Sequence, residues 1–111
     1  MEKELYRTTG GKMNKNIVDL NRMDLVSVDL SKMDLSEKDL SNKDMRYAIL
    51  HGANLVHANL SHVDLKDADL TKANLNHANL EDADLTGTIL EHAILTGTIL
   101  KKNKKNSKVV K

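Results

Sequence analysis

One triplet, Ala-Asn-Leu or Ala-Asp-Leu, recurs almost without variation every five residues between Ala53 and Leu85. The frame extends in both directions without an insertion, because leucine stands at every fifth position from 20 to 100 and only Met45 replaces it. The result is a run of seventeen consecutive pentads. Such strict self-similarity predicts a repeat fold in which each unit buries its apolar side chain against neighbouring units.

The five-residue period excludes both regular structures that could bury one apolar face. On an α-helix, five residues turn through roughly 500°, so successive leucines drift by about 140° and form no stripe. On a flat strand, an odd spacing places alternate leucines on opposite faces. The chain must therefore turn a corner within every pentad. The small residue two positions before leucine then points inward with it, and polar residues fill the outward positions.

These triplets match the signature A-[DN]-L-x-x, and residues 17–100 resemble the pentapeptide-repeat family. The resemblance implies an all-β solenoid, namely a right-handed quadrilateral β-helix with one pentad on each of four faces. It also implies that leucine and the small residue fill the interior. Seventeen pentads would then make about four coils, and the helix would be about 20 Å long if adjacent strands lie ~4.8 Å apart.

Three segments are expected: an N-terminal arm or cap (1–16), the repeat body (17–100) and a basic flexible tail (101–111). In the arm, Leu5 and Tyr6 either cover the first coil or belong to a frayed terminus. The tail carries six lysines in eleven residues, which favours solubility and, at most, weak non-specific attraction to nucleic acid. No apolar stretch resembles a signal peptide or a membrane span, so we expect a cytoplasmic protein without membrane contact.

The small position is degenerate between Ile17 and Met45, where it includes Lys38 and Lys43. A charged ammonium group is not stable in a dry interior. Either the two lysines extend outward between coils, or the backbone opens locally and the second coil is irregular. A poorly packed edge, common in terminal repeats, is favoured over a cationic site.

A net charge of +1 conceals an uneven distribution of charge. Residues 17–100 carry seven basic and fourteen acidic side chains, a net charge of −7, while the tail has no acidic residue. With four pentads per coil, aspartates twenty residues apart would stack in a column. Each neighbouring pair would repel by about 1 kcal/mol, and Arg46 and Lys66 could offset this repulsion.

The aspartate column has two interpretations. It either imitates a phosphate backbone as an acidic interaction face, or its members serve only as hydrogen-bond acceptors in the turns. We favour the role in the turns. The members of the column are Asp24, Asp44, Asp64 and Asp84.

Isoleucine replaces the outward Asn or Asp in the last three pentads. Apolar residues at the end of a solenoid indicate that a tail or a second copy covers the end. Members of the family commonly dimerise through their C-terminal ends, so the resemblance implies a homodimer through the last coil. A self-cap by Val109-Val110 is the alternative. The candidate dimer or cap patch consists of Ile89, Ile94, Ile99 and Leu100.

No catalytic, cofactor or metal site is predicted. His57 and His77 would stack on the same face as Glu37, but they occupy a variable outward position and no further metal ligands are evident. The chain has no cysteine, and its glycines form no phosphate-binding loop. The other polar residues are spread over a convex surface, whereas catalysis requires a cleft. We therefore expect neither enzyme activity nor a small-molecule substrate.

Two functions from different classes are consistent with the sequence. The favoured one is a non-catalytic structural or protein-interaction module whose partner is unknown. The second comes from the resemblance, because some family members imitate duplex DNA, bind DNA gyrase or topoisomerase IV, and protect these type II topoisomerases from quinolone drugs. The acidic body and the expected dimer favour this second function. The short rod, the basic ends and the absence of phenylalanine weigh against it.

Overall fold

The computed structural model describes residues 24–100, which form fifteen tight turns at five-residue intervals. A single bridging residue lies in each strand, and the described part of the chain contains no helix. Each bridge is parallel and joins residues twenty positions apart, as between Asn54 and Asn74. Four turns therefore close each coil into a four-sided shape, and the described residues make just under four coils.

Each corner is a β-turn that begins at the leucine. The leucine carbonyl accepts a hydrogen bond from the amide three residues later, as Leu70 does from Ala73 at 3.0 Å. The third turn residue has a φ between 58° and 72° throughout, which is characteristic of a type II turn. Because β-branched residues strongly disfavour positive φ, none of these fifteen residues is Val, Ile or Thr. Such residues stand at the second turn position instead, for example Val56 and Thr71.

The core consists of stacked leucines and alanines, as the pattern predicts. Every leucine from Leu25 to Leu90, together with Met45, is buried, and burying one leucine contributes roughly 2 kcal/mol. Alanine at the inward small position gives turn hydrogen bonds of 2.9–3.1 Å, and Thr88 and Thr98 give 3.0 and 3.1 Å. Valine, methionine and lysine at this position give longer bonds of 3.2–3.4 Å. These residues are Val28, Met33, Lys38, Lys43 and Val63.

The coil that contains Lys38 and Lys43 is regular. The carbonyl oxygens of both lysines accept hydrogen bonds at 2.9 Å from the next coil, from the amides of Asn59 and Asp64. Lys38 is exposed and Lys43 is half-buried. The first of the two alternatives, outward extension of the lysines, is therefore correct, and local opening of the backbone is wrong.

The outward bridging residues define four faces of the coil. Face 1 carries Asp44, Asp64 and Asp84, with Asp24 twenty residues before Asp44. Face 2 carries Asp29, Ile49, Asp69 and Ile89; face 3 carries Asp34, Asn54, Asn74 and Ile94; face 4 carries Asp39, Asn59, Asn79 and Ile99.

Several expectations concern segments outside the described residues. They include the capped or frayed N-terminal arm, the repeats before residue 24, the basic tail and the self-cap by Val109-Val110. Between residues 24 and 100, no helix is long and apolar enough to cross a membrane.

Candidate functional site

The outward Asp or Asn of each pentad is held by the turn that follows it. Its Oδ1 accepts the amide N–H of the second residue along the chain, as Asn54 does from Val56 at 3.0 Å. All twelve described Asp and Asn residues at this position make this hydrogen bond, at 2.9–3.3 Å. The predicted role of these residues as turn acceptors is confirmed.

Hydroxyl groups reinforce several of these turns. The Ser61 hydroxyl donates to Asn59 Oδ1 at 2.8 Å, and Ser41 donates to Asp39 at 2.6 Å. The bonds from Ser41 lower the pKa of Asp39, because they favour its ionised form. A polar side chain at this position is therefore part of the local turn structure.

The aspartates of face 1 stack as predicted, and cations lie between them. Arg46 donates two hydrogen bonds to the Asp44 carboxylate, from Nε at 2.8 Å and from a terminal nitrogen at 2.7 Å. Its Nε also lies 4.0 Å from Asp64 in the next coil. The side-chain hydrogen bonds from Arg46 are the main reason that the pKa of Asp44 is lowered.

Lys66 continues this alternation of charge along face 1. Its Nζ lies 3.8 Å from Asp64 and 3.8 Å from Asp84. The predicted offset of aspartate repulsion by Arg46 and Lys66 is confirmed. Face 1 is therefore a ladder of alternating charges from Asp44 to Asp84, and not an uninterrupted anionic stripe.

The three isoleucines of the final coil are exposed, at 48 % for Ile89, 48 % for Ile94 and 42 % for Ile99. They lie on faces 2, 3 and 4, so the structure places them around the coil and does not bring them together on one face. Leu100, the fourth residue of the predicted patch, is half-buried and packs against the core, as does Leu95. The final coil therefore presents apolar side chains sideways on three faces.

Replacing Asp or Asn by Ile also removes a turn hydrogen bond. Isoleucine has no side-chain acceptor for the amide two residues later, which every outward Asp and Asn supplies. A hydrogen bond of this kind contributes about 0.5–1.5 kcal/mol. The isoleucines gain no full burial in exchange.

A second apolar feature, at the corner between faces 1 and 2, was not predicted. Tyr47 is 55 % exposed at the third turn position, and Ile49 is 40 % exposed two residues later. The sequence did contain a signal for it, because Ile49 is the one isoleucine directly before the leucine position ahead of the last three pentads.

Two inward threonines also have a structural role that the sequence analysis missed. The Thr88 hydroxyl donates to the Leu65 carbonyl at 2.7 Å, and Thr98 donates to the Leu75 carbonyl at 3.0 Å. Each threonine thus binds the carbonyl that already closes a turn in the preceding coil. These bonds satisfy a polar group at a position that otherwise holds alanine.

The imidazole rings of His57 and His77 stack as expected, with centroids 5.2 Å apart and 9° between their planes. Residues 24–100 contain no group of three or more side chains suited to hold a metal ion. His57 and His77 form an exposed stack of two rings.

Comparison with known proteins agrees with this architecture. The family model for pentapeptide repeats matches residues 24–61 and 64–101, in eight copies. The crystal structure of alr5209, a pentapeptide repeat protein from Nostoc Pcc 7120, is similar with a TM-score of 0.71 and 39% identity, over 74% of this chain and 68% of that one. No curated protein matches the chain.

A second solved structure is that of Rfr23, a pentapeptide repeat protein from the cyanobacterium Cyanothece 51142. It is 38% identical with a TM-score of 0.53, over 68% of this chain and 62% of that one. The chain thus spans about two thirds of the length of these two relatives. It belongs to the pentapeptide-repeat family, and its fold is the right-handed quadrilateral β-helix that the family resemblance implies.

Proposed function

We propose that this protein is a non-catalytic module that binds other protein surfaces through the outward side chains of its coil. The observation that carries the proposal is the isoleucine set of the final coil, Ile89, Ile94 and Ile99. Each of them is more than 40% exposed and lacks the turn hydrogen bond of its Asp and Asn counterparts. A side chain that gives up a turn hydrogen bond and remains exposed is readily explained when a partner covers it.

A second copy of the chain is the partner we propose first. The isoleucines all belong to the last described coil, and a two-fold axis beside that coil would bring the same residues of two copies together. Sedimentation velocity of the full chain tests this directly. We expect a dimer at tens of micromolar, and a monomer at that concentration would contradict the proposed homodimer.

A ligand of DNA gyrase or topoisomerase IV is the second candidate. The stacked aspartates of face 1 and the acidic body support it, while Arg46 and Lys66 weigh against it because they pair with three of the four aspartates. The test is DNA supercoiling by gyrase, with and without a quinolone. The full chain is compared with a chain that ends at Leu100, because the lysine tail alone can disturb DNA.

The outcome of the gyrase assay is read from both chains together. Inhibition, or rescue from the drug, by both would support this candidate and make the face 1 aspartates the next targets. If neither chain has an effect, DNA mimicry is ruled out as the function of this protein. The interaction module then remains, with its protein partner to be identified.

A further inference from the structure

Tyr47 and Ile49 form a second apolar surface that is distinct from the final coil. Both side chains lie at the corner between faces 1 and 2, and Ile49 is two coils before Ile89 on face 2. We call the pair the corner patch. The isoleucines of the final coil lie singly on separate faces, whereas the corner patch offers two large apolar side chains to one binding segment.

The corner patch reduces the stability of the isolated coil. Tyr47 has a φ of 63°, which all fifteen third turn residues share to within about 10°, and a bulky side chain is less favourable there than glycine. Ile49 provides no acceptor for the amide of His51, in contrast to every outward Asp and Asn. Neither side chain is buried in exchange. Locally unfavourable residues of this kind commonly mark an interaction site.

Carboxylates lie beside the corner patch, one coil further along. Asp67 follows Tyr47 at the same repeat position and is exposed, with its carboxylate beside Gly87 of the coil beyond, and Asp69 bridges to Ile49. Partial burial opposes ionisation of Asp69, but the hydrogen bonds from Thr71 and the nearby His51 outweigh it and lower its pKa. The neighbouring Arg46 is held by Asp44.

The final coil differs in part from this electrostatic setting. Ile89 also bridges to Asp69, but the residues that bridge to Ile94 and Ile99 are the neutral Asn74 and Asn79. In the described chain, the corner patch combines two exposed apolar side chains with two carboxylates in the next coil. Its ligand should accordingly combine aliphatic side chains with positive charge.

We propose that the corner patch binds the C-terminal segment of the same chain, Lys108-Val109-Val110-Lys111. This segment has two aliphatic residues between two lysines, which matches two apolar side chains beside two carboxylates. Residues 101–111 carry six lysines and no acid. Residues 24–100 carry six basic and thirteen acidic side chains, so the coil attracts the segment over longer distances as well.

The segment is long enough to reach the corner patch. Tyr47 and Leu100 are fifty-three residues apart, which corresponds to about 13 Å along the coil axis. Around the coil they are seven positions apart, or at most about 23 Å, so the direct separation is no more than about 26 Å. Nine residues from Leu100 to Val109 span up to about 30 Å when extended.

A spin label in the tail of the full chain tests this contact. The chain has no cysteine, so Ser107→Cys provides a unique site for a nitroxide. We expect loss of the amide signals of Tyr47, Ile49 and Asp67 in the NMR spectrum. The signals should return in about 1 M salt, where charge attraction is screened within about 3 Å. Loss confined to Leu95–Leu100, or no localised loss, would overturn the proposal.

Two controls make the result specific. Tyr47→Ser combined with Ile49→Asn removes the apolar surface, so the amide signal of Asp67 should no longer be lost. Ile94→Asn makes a matched change on face 3, and the signal loss at the corner patch should persist in this variant. A mixture of isotope-labelled chains without nitroxide and unlabelled chains with nitroxide should show no signal loss. Loss in the mixture would assign the contact to a second copy and contradict binding within one chain. The contact does not depend on the proposed dimer.

Discussion

The imidazole ring of His77 occupies the space beside Gly97 where a β-carbon would lie. A β-carbon built at Gly97 would stand 2.6 Å from His77 Cε1, and the glycine has a φ of 70°. Gly97 follows His77 by one coil at the same turn position. The absence of a side chain at Gly97 therefore serves both the turn and the ring above it.

Gly97→Ala is predicted to destabilise the protein more than Gly52→Ala. Both alanines would carry the cost of a left-handed residue, about 1–2 kcal/mol. Only Gly97 has a ring in the way, since a β-carbon at Gly52 would lie at an ordinary 3.4 Å from Lys32 Cγ. Urea unfolding measures the difference. Adding His77→Ala should reduce the cost of Gly97→Ala to that of Gly52→Ala, and equal costs without it would refute the steric explanation.

Ile49→Asn is predicted to stabilise the fold by about 0.5–1.5 kcal/mol, because it supplies the missing acceptor for the His51 amide. Thermal or urea unfolding of the variant measures the gain. Ile49→Ala is the matched control, since it removes the exposed apolar side chain without adding an acceptor. If Ile49→Ala stabilises as much as Ile49→Asn, the hydrogen bond is not the cause.

Leu65→Ala is predicted to cost about 2–5 kcal/mol in the free energy of unfolding. Leu65 is fully buried, and the leucine stack leaves a cavity where its side chain is removed. Met45→Leu, at the equivalent position one coil earlier, should change stability by less than about 1.5 kcal/mol because the volume is conserved. A small effect of Leu65→Ala in chemical unfolding would show that the interior can collapse around the change.

Arg46→Gln is predicted to reduce stability at pH 7 only slightly, as for other exposed ion pairs. The lowered pKa of Asp44 means that its ionised form favours the folded state. This contribution is present above the ordinary pKa of 3.8 and is lost as the pH falls through the lower folded value. Unfolding curves of the two proteins should therefore converge below that pKa, and a constant difference down to pH 2 would contradict the assignment.

Much of the fold follows from the sequence because the period of five leaves few solutions. A leucine such as Leu65 and an alanine such as Ala68 can both be buried only if the chain turns within each pentad. Turn chemistry likewise predicts the acceptor role of residues such as Asn54, since the hydrogen bond is local. The sequence alone did not decide between the two alternatives for Lys38, because the outcome depends on the space around the outer coil.

Features that depend on neighbouring coils were harder to predict. The bond from Thr88 to the Leu65 carbonyl joins residues twenty-three positions apart, and its length depends on the rotamer of the threonine. The corner patch was also missed, because Tyr47 and Ile49 belong to different pentads and share a corner only after the chain turns. The placement of the isoleucines on three faces followed directly from the repeat.

Sedimentation equilibrium of three proteins tests most directly the central claim that the final coil is an interaction surface. We predict that the wild type is a dimer at tens of micromolar, that the triple variant Ile89→Asn, Ile94→Asn, Ile99→Asn is a folded monomer, and that Ile49→Asn remains a dimer. The last variant makes the same change outside the final coil. A monomeric wild type, or a triple variant that still dimerises, would contradict the account.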